Sequence, residues 1–183
     1  MYDDTNIIFT SDHGEEFFDH GMYFHRNLPY DELLRVPLIL KTTDNQPAVV
    51  EEQRELLDVA PTICAEHGCE TADIPFEGNH LLTGDERQVI ALGCGHLPTE
   101  EDVIAVRQDG WKYLYVGGEE FLYDLAYDES EITDVSEENQ ERVDRLRESI
   151  PDDYFGTEAN RWKADTQADR DQLEALGYLE LKE

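Results

Sequence analysis

Short apolar runs separated by polar loops dominate the first half of the chain. Residues 7–10 and 36–40 are continuous runs of this kind, which is typical of strands buried on both faces, as in a parallel sheet. Pro29 opens a short helical stretch between them. Apolar residues at helical spacing predict a helix over residues 56–67, which Gly68 would end. Strands alternating with helices in this way indicate an α/β fold.

The pattern changes after residue 88, where four short strands are predicted. They are residues 89–94, 103–107, 111–116 and 121–123. Asp109-Gly110 stands between the second and the third and is a strong signal for a two-residue hairpin turn, so an antiparallel sheet is expected. Helices are predicted near residues 137–149 and 166–176.

The predicted fold class is therefore α/β, in two parts. Residues 1–87 hold too few strands to cover the faces and edges of a parallel sheet, so they are expected to be part of a larger α/β sheet whose other strands lie outside the chain. Residues 88–183 are expected to form a small antiparallel four-stranded sheet with helices. A fragment of this kind exposes an apolar patch or self-associates, whereas a stand-alone domain hides its apolar surface.

The charge of the chain excludes several partners. The chain contains 14 Lys and Arg and 44 Asp and Glu, which gives a net charge of -30. This charge repels nucleic-acid phosphates and anionic lipid headgroups. No run approaches the length of about 18 apolar residues that a membrane span needs. No basic, apolar leader is visible, which favours a cytoplasmic location, although export stays open because the N-terminal part of the protein is expected to be missing.

The acidity also predicts a salt requirement. Acid is spread along the whole chain and Lys is scarce, which resembles proteins of salt-loving archaea. Such surfaces repel themselves in dilute buffer, and molar salt shortens the Debye length to about 3 Å. An acidic protein from an ordinary cell is the alternative. The acidic stretch 128–141 is expected to be solvated surface, because it lacks the spacing and central glycine of an EF-hand loop.

The three cysteines are expected to be structural. Three is an odd, low count that cannot build a disulfide framework. Cys64 falls on the apolar face of the predicted helix, and Cys94 falls at the end of a predicted strand. These positions favour small buried apolar groups over redox or metal-binding roles.

Candidate chemistry lies where the first apolar run gives way to a polar loop, at Asp12 and His13. In open α/β sheets, ligands bind beyond the carboxyl ends of the strands. A carboxylate beside an imidazole offers a hard oxygen and a borderline nitrogen, which together suit a divalent cation. His20 and His25 follow in the same loop. The residues alone support two interpretations equally: a metal site, or a solvated acidic loop with incidental histidines.

Several segments, taken in order along almost the whole chain, resemble the sulfatase family of the alkaline phosphatase superfamily. The most specific is Phe9-Thr10-Ser11-Asp12-His13-Gly14-Glu15, which is followed by Asp19-His20-Gly21 and by residues 30–39. Further similarities lie at residues 57–62, 109–113, 122–125 and 176–178. The resemblance implies an alkaline-phosphatase-like α/β sheet for the first part of the chain.

The resemblance also implies roles for individual residues. Asp12 and His13 align with the pair that helps bind the catalytic divalent metal, usually Ca²⁺ in sulfatases, with Mg²⁺, Mn²⁺ or Zn²⁺ as alternatives. His25 stands where relatives place a Lys or His that contacts the transferred group or the leaving oxygen. It is therefore expected to bind substrate and to donate a proton to the leaving alkoxide. His20 receives no direct role and is expected to stabilise its loop. The implied substrate is a small-molecule or carbohydrate sulfate ester.

Two parts of a complete sulfatase are missing from the sequence. The family's formylglycine nucleophile is made from Cys or Ser in a Cys/Ser-x-Pro-x-Arg motif, which none of the three cysteines fits. The acidic metal-binding pair of the family's first strand is also absent. The chain therefore looks like a C-terminal part of the enzyme, inactive alone, with formylglycine expected in the missing N-terminal part. Its expected partner is that missing part or a second copy of itself.

Two other functions stay open. Phosphonate monoester and phosphodiester hydrolases of the same superfamily share the Asp-His pair and a histidine at the place of His25. A function of a different kind is that of a noncatalytic acidic module for metal binding or assembly. The substrates that the whole protein hydrolyses distinguish the first alternative from a sulfatase. The exposure of apolar surface distinguishes a stand-alone module from a fragment of an enzyme.

Overall fold

The computed structural model describes most of the chain. The described residues are 2–24, 28–43, 47–69, 74–93 and 102–155. The strands are β1 (Ile7–Thr10), β2 (Glu16–Phe17), β3 (Tyr23–Phe24), β4 (Leu38–Lys41), β5 (Val89–Leu92), β6 (Val103–Gln108), β7 (Trp111–Val116) and β8 (Glu119–Asp124). The helices are α1 (Asp31–Leu34), α2 (Val59–Glu66) and α3 (Gln140–Glu148), with 3₁₀ turns at Leu56–Asp58 and Asp152–Tyr154. His25, Cys94 and the helix predicted at 166–176 lie outside the described residues.

The first part of the fold is a two-stranded ribbon in which β1 and β4 are antiparallel. Phe9 lies opposite Ile39 in the register, and Ile8 lies opposite Leu40. The expectation that both runs are buried on both faces is wrong, because Phe9 and Ile39 are 59% and 62% exposed. The physical reason is that the described part of the chain shields the Ile8–Leu40 side and leaves the other side in solvent.

The second part is the predicted antiparallel sheet, in the order β5-β6-β7-β8. The hairpin between β6 and β7 turns at Asp109 and Gly110, which have φ values of 52° and 75°. Two consecutive positive φ values match the twist of the flanking strands, so the turn signal in the sequence is confirmed. Together, the ribbon, the sheet and the helices give the mixed α/β architecture that the sequence predicts.

Both faces of the four-stranded sheet are covered. On one face, Tyr113 and Leu122 pack with Val143 and Leu146 of α3 in one apolar cluster. Alternate residues of the same strands point to the other face. There a second cluster of Val103, Ala105, Leu114, Tyr123 and Leu125 packs against Leu28 and Tyr30. The segment before α1 therefore shares a core with the sheet.

Helix α2 follows a 3₁₀ turn whose last residue, Asp58, is almost completely buried. The carboxylate of Asp58 accepts hydrogen bonds from the backbone N–H groups of Glu55, at 2.9 Å, and Asn79, at 2.7 Å. It also pairs with Arg87 at 2.8 Å. These bonds satisfy a buried charge and cap the 3₁₀ turn that precedes the helix. None of the helices in the described ranges is long and apolar enough to cross a membrane.

Candidate metal-binding site

Asp12 and His13 follow directly on β1. The ladder between β1 and β4 ends at the pair Thr10 and Leu38, so the chain leaves the ribbon just before these two residues. The side chain of Asp12 is 82% exposed and that of His13 is 38% exposed. Both side chains therefore lie where a dissolved cation can reach them.

The two side chains lie close enough to bind one ion. Nε2 of His13 is 4.0 Å from Oδ2 of Asp12. Ligand atoms that lie 2.0–2.6 Å from a common cation are separated by at most about 5 Å. The backbone N–H of His13 also donates to Oδ1 of Asp12 at 3.0 Å, which fixes the carboxylate beside the ring. The distance and the donor types fit a divalent metal.

The ring of His13 is held in the tautomer that a metal ligand needs. Its Nδ1 lies 2.6 Å from the carbonyl oxygen of Gly14. Because a carbonyl can only accept, Nδ1 carries the hydrogen and donates it. In the neutral imidazole the lone pair is then on Nε2, the atom that faces Asp12. A backbone carbonyl bound to the second ring nitrogen is a common way to orient a metal-ligating histidine.

The loop that carries the pair rests on α1. The N–H of Gly14 donates to the carbonyl of Leu33 at 2.8 Å, and the N–H of Glu15 donates to that of Glu32 at 3.1 Å. A Cβ at position 14 would come within 1.8 Å of the carbonyl oxygen of Glu32. Only glycine allows this close approach, so Gly14 helps to set the position of Asp12 and His13.

The described residues do not form a complete metal site. Within these ranges, His, Cys, Asp and Glu form no group of three or more that could hold a metal ion. That Asp12 and His13 supply half of a metal shell stays a prediction. His25 lies outside the described residues, so its role stays a prediction.

His20 is bound inside the fold, away from the pair. Its Nδ1 lies 2.5 Å from Oε1 of Glu32, its Nε2 lies 3.2 Å from the carbonyl oxygen of Glu131, and its ring stacks on Tyr30 at 3.6 Å. Burial of the ring opposes protonation. The hydrogen bonds to Glu32 and Glu131 and their negative charges nevertheless raise the pKa of His20 above 6.5. These contacts agree with the loop-stabilising role expected for His20.

A buried ionic network next to His20 was not predicted. Nζ of Lys112 lies 3.0 Å from Oδ1 of Asp31 and 2.7 Å from Oε1 of Glu131. The N–H of Asp31 donates to Oε2 of Glu131 at 2.6 Å. Burial raises the pKa of Glu131, while Lys112 and the N–H of Asp31 act in the opposite direction. The network joins strand β7 to the first residue of α1.

The sequence contains a signal for only one member of this network. Lys112 is one of few lysines, and it alternates with aromatic residues in a strand whose neighbouring positions are apolar on both faces. Such a lysine is expected to need a buried partner. Glu131 carries no such signal, because it lies among many acidic residues. The prediction that the stretch 128–141 is solvated surface is wrong at Glu131, which is 2% exposed.

A cleft of about 350 Å³ lies beside the network. It is lined by Asp19, Glu32, Glu129, Ser130 and Ile132. Neither Asp12 nor His13 lines it, so the cleft does not belong to the candidate metal site. Three of its five lining residues are acidic, which makes it unsuited to an anionic sulfate ester.

The fold and the site define an α/β protein that places a carboxylate beside an imidazole at the end of a strand. Residues 1–66 match the family model described as Sulfatase. The chain is 29% identical to choline-sulfatase of Rhizobium meliloti over 152 residues, which cover 79% of the chain and 30% of that protein. It is 28% identical to arylsulfatase of Clostridium perfringens over 170 residues, which cover 84% of the chain and 34% of that protein. Residues 1–66 therefore match the sulfatase family, and most of the chain is similar to proteins of that family.

Solved structures share the fold. A protein in complex with its substrate D-glucosamine-2-N,6-O-disulfate superposes with a TM-score of 0.65 at 22% identity, covering 83% of this chain and 35% of its own. The phosphonate monoester hydrolase of Agrobacterium radiobacter superposes with a TM-score of 0.61 at 26% identity. The match covers 80% of this chain and 34% of the hydrolase chain. The chain spans about a third of the length of the curated relatives it matches.

Proposed function

We propose that this chain is part of a metal-dependent hydrolase of sulfate monoesters, in which Asp12 and His13 are two of the metal ligands. The observation that supports this most directly is the pairing of Oδ2 of Asp12 with Nε2 of His13 at 4.0 Å. The hydrogen bond from Nδ1 of His13 to Gly14 supports it further. Both residues fall inside the segment that matches the sulfatase family model.

Each residue has a defined task in this proposal. The carboxylate of Asp12 supplies a charged oxygen ligand, and Nε2 of His13 supplies a nitrogen ligand. The carbonyl of Gly14 orients the imidazole. Helix α1 holds the loop in place by accepting its backbone hydrogen bonds. A bound divalent cation, Ca²⁺ by family resemblance, would stabilise the charge that develops on the sulfate oxygens. We further propose that His25 binds the sulfate and protonates the leaving oxygen.

The formylglycine nucleophile is proposed to come from sequence outside this chain. The chain of 183 residues has no Cys-x-Pro-x-Arg motif at its three cysteines. We therefore propose that it has no turnover by itself. The substrate class is proposed to be a small-molecule or carbohydrate sulfate ester, which agrees with the disulfated sugar bound by one structural neighbour. A cytoplasmic location is also proposed.

Hydrolysis of phosphonate monoesters or phosphodiesters is the second candidate. It is favoured by the structural similarity to a phosphonate monoester hydrolase at 26% identity. The rates of the whole protein on 4-nitrophenyl sulfate and on bis(4-nitrophenyl) phosphate decide between the two reactions. A higher kcat/KM on the sulfate supports the first, and a higher kcat/KM on the phosphodiester supports the second. Metal binding without turnover of either would favour the noncatalytic module.

The metal ligands are tested in the same whole protein by Asp12→Asn and His13→Ala. Each variant is expected to lower kcat/KM on the order of 100-fold, because a weakened metal shell stabilises the transition state less. The matched controls are Asp85→Asn and His67→Ala, which change exposed residues of the same types. Both controls should keep kcat/KM within about twofold of the parent. Variants at positions 12 and 13 that behave like these controls would contradict the proposal.

A further inference from the structure

The end of α2 brings two cysteines together. Gly68 has a φ of +63°, its N–H donates to the carbonyl of Ala65 at 3.2 Å, and the N–H of Cys69 donates to that of Cys64 at 2.9 Å. These two bonds define a Schellman motif, with glycine in the left-handed position after the helix. In this motif the third residue before the helix cap commonly contacts the second residue beyond it. Here those two residues are Cys64 and Cys69.

The Schellman motif places the two cysteine side chains next to each other. The Cys69 side chain contributes to raising the pKa of the Cys64 thiol, after burial, and both cysteines are free. Cys64 is half-buried and Cys69 is exposed. The expectation that the cysteines are buried apolar groups is therefore wrong for Cys69, which the helix end turns towards solvent. Helical spacing could not reveal the pair, because the helix ends between the two residues.

We propose that Cys64 and Cys69 form a reversible intramolecular disulfide, so that the end of α2 is a thiol modification site. Its oxidant is a low-molecular-weight disulfide such as oxidised glutathione. The site shares no residue with the Asp12–His13 pair. It therefore goes beyond the proposed hydrolysis and does not depend on it.

The reaction proceeds by two exchanges. The thiolate of Cys69 attacks one sulfur of oxidised glutathione, the glutathione S–S bond breaks, and one glutathione thiolate leaves. Cys64 then loses its proton to solvent, and its sulfur attacks the sulfur of Cys69. The mixed disulfide breaks and the second glutathione leaves as a thiolate. Both leaving thiolates take up protons, so two cysteines are oxidised and one glutathione disulfide is reduced to two thiols.

The structure supports this order of attack. Cys69 is exposed and can meet the oxidant, whereas Cys64 is half-buried. Burial and the contact with Cys69 raise the pKa of the Cys64 thiol, so this residue is a slower first nucleophile. Once Cys69 carries the glutathione, Cys64 already lies beside the sulfur that it must attack. Closure is then an intramolecular step with a high effective concentration.

The test uses the whole chain with Cys94→Ser, so that only this pair can react. The protein is incubated with oxidised glutathione in molar KCl, alkylated with N-ethylmaleimide and digested with trypsin. Residues 55–87 form one peptide, because Arg54 and Arg87 flank a segment without Lys or Arg. We expect this peptide to lose two hydrogen atoms, to carry no maleimide, and to recover both thiols on reduction. Closure in the folded chain should be on the order of tenfold faster than in guanidinium chloride.

Glycine substitutions test whether the helix end causes the reaction. Gly68→Ala places a Cβ in a left-handed conformation but meets no atom within 4 Å, so it strains the motif without a clash. It should slow closure on the order of fivefold or more. Gly21→Ala is the matched control, because Gly21 has a φ of +76° and equally open surroundings. This control should close at the parent rate.

Two results would overturn the proposal. One is a folded chain that remains a mixed disulfide with glutathione, or that closes no faster than the denatured chain. The other is an equal effect of Gly68→Ala and Gly21→Ala on closure. If Gly68→Ala fails to fold, the comparison of the folded and denatured Cys94→Ser chain decides the matter. In the Cys94→Ser chain, Cys64→Ser should stop at the mixed disulfide on Cys69, because no second thiol remains to displace the glutathione.

Discussion

Nζ of Lys112 lies 2.7 Å from Oε1 of Glu131, and the two side chains are 0% and 1% exposed. The second carboxylate oxygen of Glu131 accepts the backbone N–H of Asp31, the first residue of α1. Helix α1 in turn accepts the backbone N–H groups of Gly14 and Glu15. A chain of direct contacts therefore connects the four-stranded sheet to the loop that carries the candidate metal ligands.

Removing Lys112 should destabilise the fold strongly. In Lys112→Met the carboxylate of Glu131 stays buried without its cationic partner, and breaking a buried pair in this way costs about 3–5 kcal/mol. Urea unfolding in molar KCl measures the loss. Lys41→Met is the matched control. Its Nζ donates to the carbonyl of Thr5 at the surface, so this change should cost about 0.5 kcal/mol.

The double variant Lys112→Met/Glu131→Gln isolates the cause of that loss. Gln keeps an acceptor for the N–H of Asp31 but removes the buried negative charge. The double variant should therefore be more stable than Lys112→Met alone. If Lys112→Met cost no more than Lys41→Met, the buried pair would not hold the sheet to α1.

His20 should make stability depend on pH. Burial of the ring is the largest single influence and lowers its pKa, but the hydrogen bonds and charges of Glu32 and Glu131 together outweigh it, so the pKa of His20 is raised in the folded chain. A raised pKa gives stability that is fully present below the unfolded value and is lost as the pH rises through the folded value. The stability difference between the parent and His20→Gln should therefore be largest near about pH 6 and shrink by about pH 9.

Thermal or urea unfolding at a series of pH values measures this difference. His67→Gln is the matched control, because His67 is exposed at the end of α2. It should give a small difference that does not follow the same pH course. Glu32→Gln should reduce the pH dependence by removing the charged acceptor of Nδ1. A difference for His20→Gln that is flat between pH 6 and pH 9 would show that the ring is not protonated on folding.

Gly14 should be needed for both stability and metal binding. In Gly14→Ala the added Cβ meets the backbone oxygen of Glu32 at 1.8 Å, so the loop must move away from α1. The cost should be about 1–3 kcal/mol, and the Ca²⁺ affinity of the whole protein, measured by calorimetry, should fall with it. Gly21→Ala adds a Cβ in open space and should cost only about 1 kcal/mol of backbone strain, with unchanged Ca²⁺ affinity. Equal losses in the two variants would contradict a positioning role for Gly14.

The local parts of the fold follow from the sequence, and the long-range contacts do not. Asp109 and Gly110 specify their hairpin because turn chemistry acts within a few residues. The exposure of Phe9 depends on what covers the ribbon, which no local pattern encodes. The division of the chain at residues 87 and 88 stays a prediction.

The candidate site shows the same distinction. Asp12 and His13 are visible from the sequence because they are adjacent and follow a strand. The Lys112–Glu131 pair joins positions 19 residues apart, and the contact of Cys64 with Cys69 needs a helix end between them. Such contacts arise only when the backbone has folded, so the pattern of residues along the sequence does not predict them.

Salt should stabilise this chain. A net charge of -30 on 183 residues implies strong repulsion among surface carboxylates. Molar KCl screens this repulsion to a Debye length of about 3 Å, so the Tm should rise between dilute and molar KCl. The increase should be largest at neutral pH and smaller near pH 4, where many carboxylates are protonated. Equal Tm values in dilute and molar KCl would contradict the resemblance to proteins of salt-loving organisms.

The exposed side of the β1–β4 ribbon should cause self-association. Phe9 and Ile39 lie opposite each other and are each more than half exposed, so together they present continuous apolar surface. Phe9→Thr/Ile39→Thr places a β-branched residue, which favours strands, at both positions and should shift sedimentation velocity profiles in molar KCl towards the monomer. Val49→Thr/Ile132→Thr is the matched control, because it changes two exposed apolar residues that lie in separate segments. If both double variants sediment like the parent, the ribbon face does not mediate association.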